Sequence, residues 1–237
     1  MDASVSVYSC GKLPGATPEE VFQSIEAEAG ELGFPYCSHW LRMPLPITRP
    51  YTLLFSNYPT EWQSRYKEKG YLQVDPSIMH GMRSSEPVVW SDALFAKTPQ
   101  LWAEAQAHGL VNVWSQSRRD PEGTFSFLVL ARPSGAIDAT ELAEAEWRMQ
   151  RLVDASHTSM KARCKVPELM RPDVGLSDRE IDVLRWTADG KTASEIADIL
   201  FISERTVNFH INRIVCKLGA CNKINAAVRA AMLGLVW

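Results

Sequence analysis

The chain reads as an α+β protein with two domains, an N-terminal α/β/α sandwich and a C-terminal four-helix domain built on a helix-turn-helix. Three observations predict this. At 237 residues two domains are the natural expectation, and setting aside the last sixty-odd leaves about 170, enough for one sizeable core. Aromatic and β-branched runs in the first part are framed by helical patterns at both ends, as a sheet with helices on both faces requires. From Leu176 onward, helix caps recur at short intervals. The expected boundaries are 1–165 and 175–237, with 166–174 as a linker.

The elements follow in order. Thr17-Pro18-Glu19-Glu20 opens a helix with a cap, a proline at its first position and first-turn acids. Val21, Ile25, Ala29 and Leu32 form its apolar stripe, and Gly33 ends it. Tyr36–Met43, Tyr51–Phe55, Asn112–Ser117 and Thr124–Ala131 have the composition of strands. Short helices suit Glu61–Lys69, Ser77–Met82 and Gln100–His108. A long helix starts at Asp138, boxed by Glu141, and runs to about Arg163, with Leu142, Trp147, Met149 and Leu152-Val153 at roughly helical spacing. Cys164–Gly175 holds Pro167 and Pro172 and no clean period, so it reads as a short, partly stiffened linker. Ser177 with Glu180, and Thr192 with Glu195, are capping boxes. Ser203 can cap a third helix, Gly219 can end it, and Asn222 can cap a fourth. The apolar end, Met232–Trp237, should pack on something, either the last helix's own core or a second copy.

A tight turn joins the second and third of these helices, and in such a motif the later helix enters the major groove of DNA. Global charge does not announce this, at −3 for the whole chain. Locally it does. Ser203–Arg229 carries Arg205, Arg213, Lys217, Lys223 and Arg229 against the single acid Glu204, while Asp178, Glu180, Asp182, Asp189, Glu195 and Asp198 lie upstream. Asn208 and Asn212, one turn apart, can each pair bidentately with adenine. Lys191, Thr192, Arg205, Thr206, His210, Arg213, Lys217 and Lys223 are candidates for phosphate contact or positioning.

A second informative stretch is Asn57–Ser77. Trp62 and Tyr66 are four apart and share a helix face. Tyr58 precedes that helix and Asp75-Pro76 begins the next. Each has an apolar body and a polar end, and convergent polar tips among aromatics are what small-ligand pockets look like. By spacing alone, an aromatic core with one capping aspartate explains them at least as well.

Family resemblance enters at these residues. Leu176–Val236 closely resembles the C-terminal domain of the LuxR-type regulators. The matching features are Ser177-Asp-Arg-Glu180, Leu184, Gly190-Lys-Thr192, Glu195-Ile-Ala, Ser203-Glu-Arg-Thr-Val-Asn-Phe-His210, Lys217-Leu-Gly-Ala and Asn222-Lys223. Trp62, Tyr66, Asp75, Pro76 and Trp90 resemble the ligand-binding domain of that family's acyl-homoserine-lactone receptors. The resemblance implies a lactone-binding and dimerisation domain over 1–165 and a DNA-binding domain over 175–237, in a cytoplasmic homodimer on an inverted-repeat operator. It also implies roles. Trp62 would donate to the lactone carbonyl, Asp75 would accept the amide N–H, and Tyr58 would bond the acyl carbonyl. Trp90 would pack on the lactone ring, with Tyr66 and Ser77 completing the polar network. The chain departs from the pattern where Val113 and Trp40 replace frequent glycines, Val129 replaces a Ser or Thr, Phe127 replaces smaller residues, and Gln116-Ser117 stands where proline is common. These changes alter the surroundings of the acyl tail more than those of the lactone, and the bulk of Trp40 and Phe127 suggests a short or bent tail.

Other classes are weaker. No apolar run approaches the ~20 residues of a membrane span, and the N-terminus lacks a secretory signature. The odd count of five cysteines, without CxxC, speaks against a disulfide framework or a zinc site. A phosphorylated receiver needs clustered acids after a strand, whereas Glu19, Glu20, Glu26, Glu28 and Glu31 lie on one helix. His39, His80, His108, His157 and His210 are scattered, and HxH, HExxH and GxSxG are absent, so no metal, catalytic residue or cofactor is expected. A relative that has exchanged lactones for another small molecule, or works without one, is the serious alternative.

Overall fold

The computed structural model describes residues 13–164 and 175–236. The expected linker, Cys10 and Trp237 lie outside them. The described chain forms two compact units, one made of residues 13–42, 52–119 and 125–164 and the other containing 175–236.

In the first unit, α1 (Pro18–Glu31) starts where the Thr17 hydroxyl accepts the Glu20 N–H, at 3.2 Å. Val21, Phe22, Ile25 and Ala29 are its buried face. Then come β1 (Tyr36–Arg42), β2 (Thr52–Ser56), α2 (Thr60–Glu68), a 3-10 turn (Tyr71–Gln73), α3 (Pro76–Arg83), β3 (Val88–Val89), α4 (Pro99–Ala107), β4 (Asn112–Arg119), β5 (Phe125–Arg132) and α5 (Ala139–Arg163). The strands form one antiparallel sheet in the order β2-β1-β5-β4-β3. β3 adds to the expected strands. It is too short to leave a period in the sequence and is recognised only by the pairing of Val88 with Ser115 and Val89 with Trp114.

Directly opposed residues project to the same side of a sheet, so register sorts the two faces. Ser38, Val129 and Ser115 form one row, and Trp40, Phe127 and Ser117 the next. This face packs on the aromatic cluster supplied by α2, α3 and α4. The opposite face carries His39, Ser126 and Leu128 toward α5, where the Ser126 hydroxyl meets His157 Nδ1 at 2.6 Å. His39 is fully buried there, and burial first, then the nearby His157, lowers its pKa to about 3, so it stays neutral.

Helix α5 begins as expected, with Asp138 accepting the Glu141 N–H at 2.9 Å. Its buried stripe runs through Met149, Leu152, Val153, Ser156 and Met160. Trp147, expected on that stripe, is 56 % exposed. Two residues are about 200° on a helix, so a side chain two before Met149 faces away from the core.

The second unit contains α6 (Asp178–Ala188), α7 (Ala193–Leu200), α8 (Glu204–Lys217) and α9 (Lys223–Met232). Both capping boxes form, and Ser203 and Asn222 cap α8 and α9. Val183, Leu184, Ile196, Val207, Ile214, Leu218, Ala226 and Ala230 are the shared core. Leu233, Leu235 and Val236 pack against that core, so the apolar end has a partner inside its own domain.

Candidate functional site

Helix α2 lets Trp62 and Tyr66 meet on one face, with ring centroids 5.6 Å apart. The Tyr66 hydroxyl donates to Asp75 Oδ2 at 2.8 Å. Asp75 caps α3, its Oδ1 accepting the Ser77 N–H at 2.9 Å and the Ser77 hydroxyl at 2.6 Å. Asp75 is only 3 % exposed. Burial raises its pKa, and the hydrogen bonds from Ser77 and Tyr66 offset only part of that. The Ile78 backbone N–H also bonds this carboxylate, so every donor it receives is neutral.

Around this carboxylate the sequence-derived residues converge. Tyr58 shares a hydrogen bond of 3.1 Å with Ser38, and burial raises its pKa well above the usual range. The Trp90 indole donates to Ser115 at 2.9 Å and packs against Phe95 and Trp102. Trp62 is 3 % exposed and lies against Tyr71 and His108. Trp40 and Phe127 are buried in the same cluster, as is Val129. Trp40 stands edge-on to Phe125, which stacks on Phe127. Ser38 and Ser115 were missed from sequence. The signal was there, since Ser38 lies two residues before Trp40 and so on the same face, but it required the strand register. Among the described residues no group of three His, Cys, Asp or Glu is placed to hold a metal, and no helix is long and apolar enough to cross a membrane.

In the second unit, α8 turns Arg205, Asn208, Phe209, Asn212, Arg213 and Cys216 outward and Val207, Ile214 and Leu218 inward. Arg205, Asn208 and Asn212 share that exposed side, whereas Thr206 and His210 are half-buried. Thr206 exchanges a 2.8 Å hydrogen bond with the Ser203 cap. Arg213 and Lys217 have intramolecular partners. Lys217 Nζ lies 2.6 Å from Glu180 Oε2 and 2.8 Å from the Gly175 carbonyl, and Arg213 Nε lies 3.3 Å from Glu180 Oε1. The Arg213 guanidinium also sits over the Phe209 ring. Glu180 is 1 % exposed. Burial alone would raise its pKa, but Lys217 and Ser177 together hold it below the ordinary carboxylate range. Lys191 pairs with Glu195 at 3.5 Å, while Thr192 and Lys223 stand at the starts of α7 and α9. The exposed aromatic Phe209 was not anticipated, and its only signal is its place beside Asn208 on the outer face.

Comparison with known proteins adds identity to this geometry. Residues 17–160 match the autoinducer binding domain, and residues 174–230 match the luxR family of bacterial regulatory proteins. The chain is 41 % identical over 220 residues to the transcriptional activator protein AnoR of Acinetobacter nosocomialis, covering 92 % of each. It is 43 % identical over 216 residues to the quorum-sensing regulator RhlR of Pseudomonas aeruginosa, covering 91 % of this chain and 89 % of that one. A crystal structure of Escherichia coli SdiA superposes with a TM-score of 0.77 at 38 % identity, over 93 % of this chain and 92 % of that one. SdiA in complex with octanoyl-rac-glycerol superposes at 0.75 and 39 %, over 93 % and 90 %. The chain belongs to the LuxR family of quorum-sensing transcription regulators, with an autoinducer-binding domain followed by a helix-turn-helix DNA-binding domain.

Proposed function

We propose that this regulator is cytoplasmic, holds an N-acyl-homoserine lactone in its first unit and binds an inverted-repeat operator as a homodimer. The observation that carries the ligand is Asp75, a carboxylate 3 % exposed and held by neutral donors alone. The ligand's amide N–H donates to it as well. Trp62, buried beside Tyr66, donates its indole N–H to the lactone carbonyl. Tyr58 bonds the acyl carbonyl from the Ser38 side, and Trp90 covers the lactone ring. Tyr66 and Ser77 hold Asp75 in place.

For DNA, Asn208 and Asn212 on the outer side of α8 read bases, and Arg205, Lys191, Thr192 and Lys223 serve the backbone. Arg213 and Lys217 position α8 through Glu180, and Thr206 and His210 support its N-terminal half. One module makes few base contacts, so specificity calls for two copies. The exposed Trp147 on α5 and Ile224 on α9, 69 % exposed, are candidate seams.

A second reading has one specific support. SdiA accommodates octanoyl-rac-glycerol, whose hydroxyls could serve Asp75 as donors in place of an amide. The mass of the small molecule that co-purifies from a lactone-fed host separates the two. A lactone mass supports the proposal, and an acylglycerol or an empty protein that still binds DNA refutes it.

A further inference from the structure

The register of the sheet works as a ruler for the ligand's tail. In the reading above, the acyl carbonyl sits at the row Ser38–Val129–Ser115, because Tyr58 bonds Ser38 there. The lactone end is taken up by Trp90 with Phe95 and Trp102. The tail is left with the other direction along β5, toward the row Trp40–Phe127–Ser117.

That row is closed. A Cβ placed on Gly81 of α3 would stand 2.9 Å from two Phe127 ring atoms and 3.3 Å from Ser117 Cβ. Helix α3 therefore rests directly on Phe127 at Gly81. Beside it, Trp40 packs on Phe125 at 5.5 Å and Phe125 on Phe127 at 6.5 Å, so the wall continues across both strands. Trp40, Phe125 and Phe127 are each at most 9 % exposed.

We infer that the ligand carries a short acyl chain, and that Phe127 seated against Gly81 is the stop that sets its length. Two residues of strand advance about 7 Å, and C–C bonds of about 1.5 Å in a zigzag fill that with roughly four to six carbons, carbonyl included. From sequence a short tail and a bent one were equally open, and the contact at Gly81 favours the short one. The inference rests on the lactone reading of the same site.

The test uses full-length protein and four probes, the butanoyl, hexanoyl, octanoyl and dodecanoyl homoserine lactones, read by thermal shift and by reporter dose–response. The wild type should respond best to butanoyl or hexanoyl, at concentrations at least tenfold lower than for dodecanoyl. Phe127→Ala should shift the preference to octanoyl or longer, and Phe127→Leu, which keeps a core side chain, should shift it in the same sense by a smaller amount. A wild type that prefers dodecanoyl, or Phe127 variants that keep the wild-type order, overturns the stop while leaving the lactone reading intact. Silence toward all four probes in wild type and variants overturns both.

Discussion

Among the described residues each unit buries one carboxylate at the start of a helix, Asp75 in the first and Glu180 in the second, and the two are treated in opposite ways. Glu180, in the first turn of α6, is closed on every side. It accepts the Ser177 N–H, Lys217 lies 2.6 Å away and Arg213 3.3 Å away. Its pKa is held down. Asp75, the cap of α3, receives only neutral donors, from Ser77 and Tyr66, and its pKa is pushed up. Burying a charge without a cation is costly, so the second site is unfinished in a way the first is not. Glu180 belongs to the architecture of its domain. In the proposed function Asp75 is the carboxylate that receives the ligand's donor, and that difference separates a structural carboxylate from one proposed to bind.

The strongest way to break the comparison is at Glu180. Removing Glu180 takes away half of a capping box and the partner of Lys217 and Arg213, whose side chains are 26 % and 54 % exposed and can rehydrate, at a cost of about 1–3 kcal/mol. Glu180→Ala should therefore unfold the DNA-binding unit at lower denaturant, with or without lactone. The sign with pH follows from a lowered pKa. The contribution is fully present above the ordinary glutamate value and is lost as pH falls through the folded one. Urea melts of wild type and variant that coincide at neutral pH would remove the distinction.

Asp75→Asn probes the other side. Asparagine caps helices about as well as aspartate, so α3 should persist. What disappears is the charged acceptor. Lactone response should weaken at least tenfold, about 1.4 kcal/mol or more, while the ligand-free melting temperature stays level or rises. The pH dependence runs opposite to that of Glu180. A raised carboxylate pKa means the ligand-free fold is penalised as pH rises past the ordinary aspartate value toward the folded one. Lactone affinity should instead increase with pH over that window, since only the ionised form is a pure acceptor. An unchanged dose–response in Asp75→Asn would refute the binding role.

How far this contrast could be read in advance differs by residue. The helix starts were legible because a cap and its partner lie within three residues, as with Thr17, Asp138, Ser177, Thr192, Ser203 and Asn222. The cluster of Trp62, Tyr66 and Asp75 was legible partly by spacing and decisively by resemblance. What stayed hidden depends on distant pairing. Glu180 read as half of a capping box, and nothing local connects it to Lys217, 37 residues later. Gly81 gives no hint of Phe127 until α3 is laid on the sheet. Trp147 read as core because a loose helical period tolerates a residue on the wrong side.

On DNA the same contrast predicts that basic residues on α8 are not equivalent. Lys217 is tied to Glu180, whereas Arg205 is exposed. Arg205→Ala should flatten the salt dependence of binding by about one phosphate's worth, and Lys217→Ala should act mainly through stability. Asn208→Ala should relax sequence preference by about 1–3 kcal/mol. Operator-to-random affinity ratios that stay fixed in Asn208→Ala and Asn212→Ala would refute the assignment of bases to this side of α8.

The smallest expected effect lies in the turn between α7 and α8. Phe201 ends α7 with φ 54°, in the left-handed region, and is 93 % exposed. It is the one residue other than glycine with positive φ among those described. A Cβ in that conformation is unfavourable by roughly 1 kcal/mol, and a solvent-facing ring recovers nothing by packing. Glycine is the residue this geometry favours, as at the ends of many helices. Phe201→Gly should thus raise the unfolding midpoint of the DNA-binding unit by an amount worth about 1 kcal/mol, without touching lactone response. If the variant is instead less stable, the turn is held by contacts of the ring. If it is more stable but binds operator less well, the strained phenylalanine is kept for its exposed surface, and the turn would join α8 as part of the DNA-facing region.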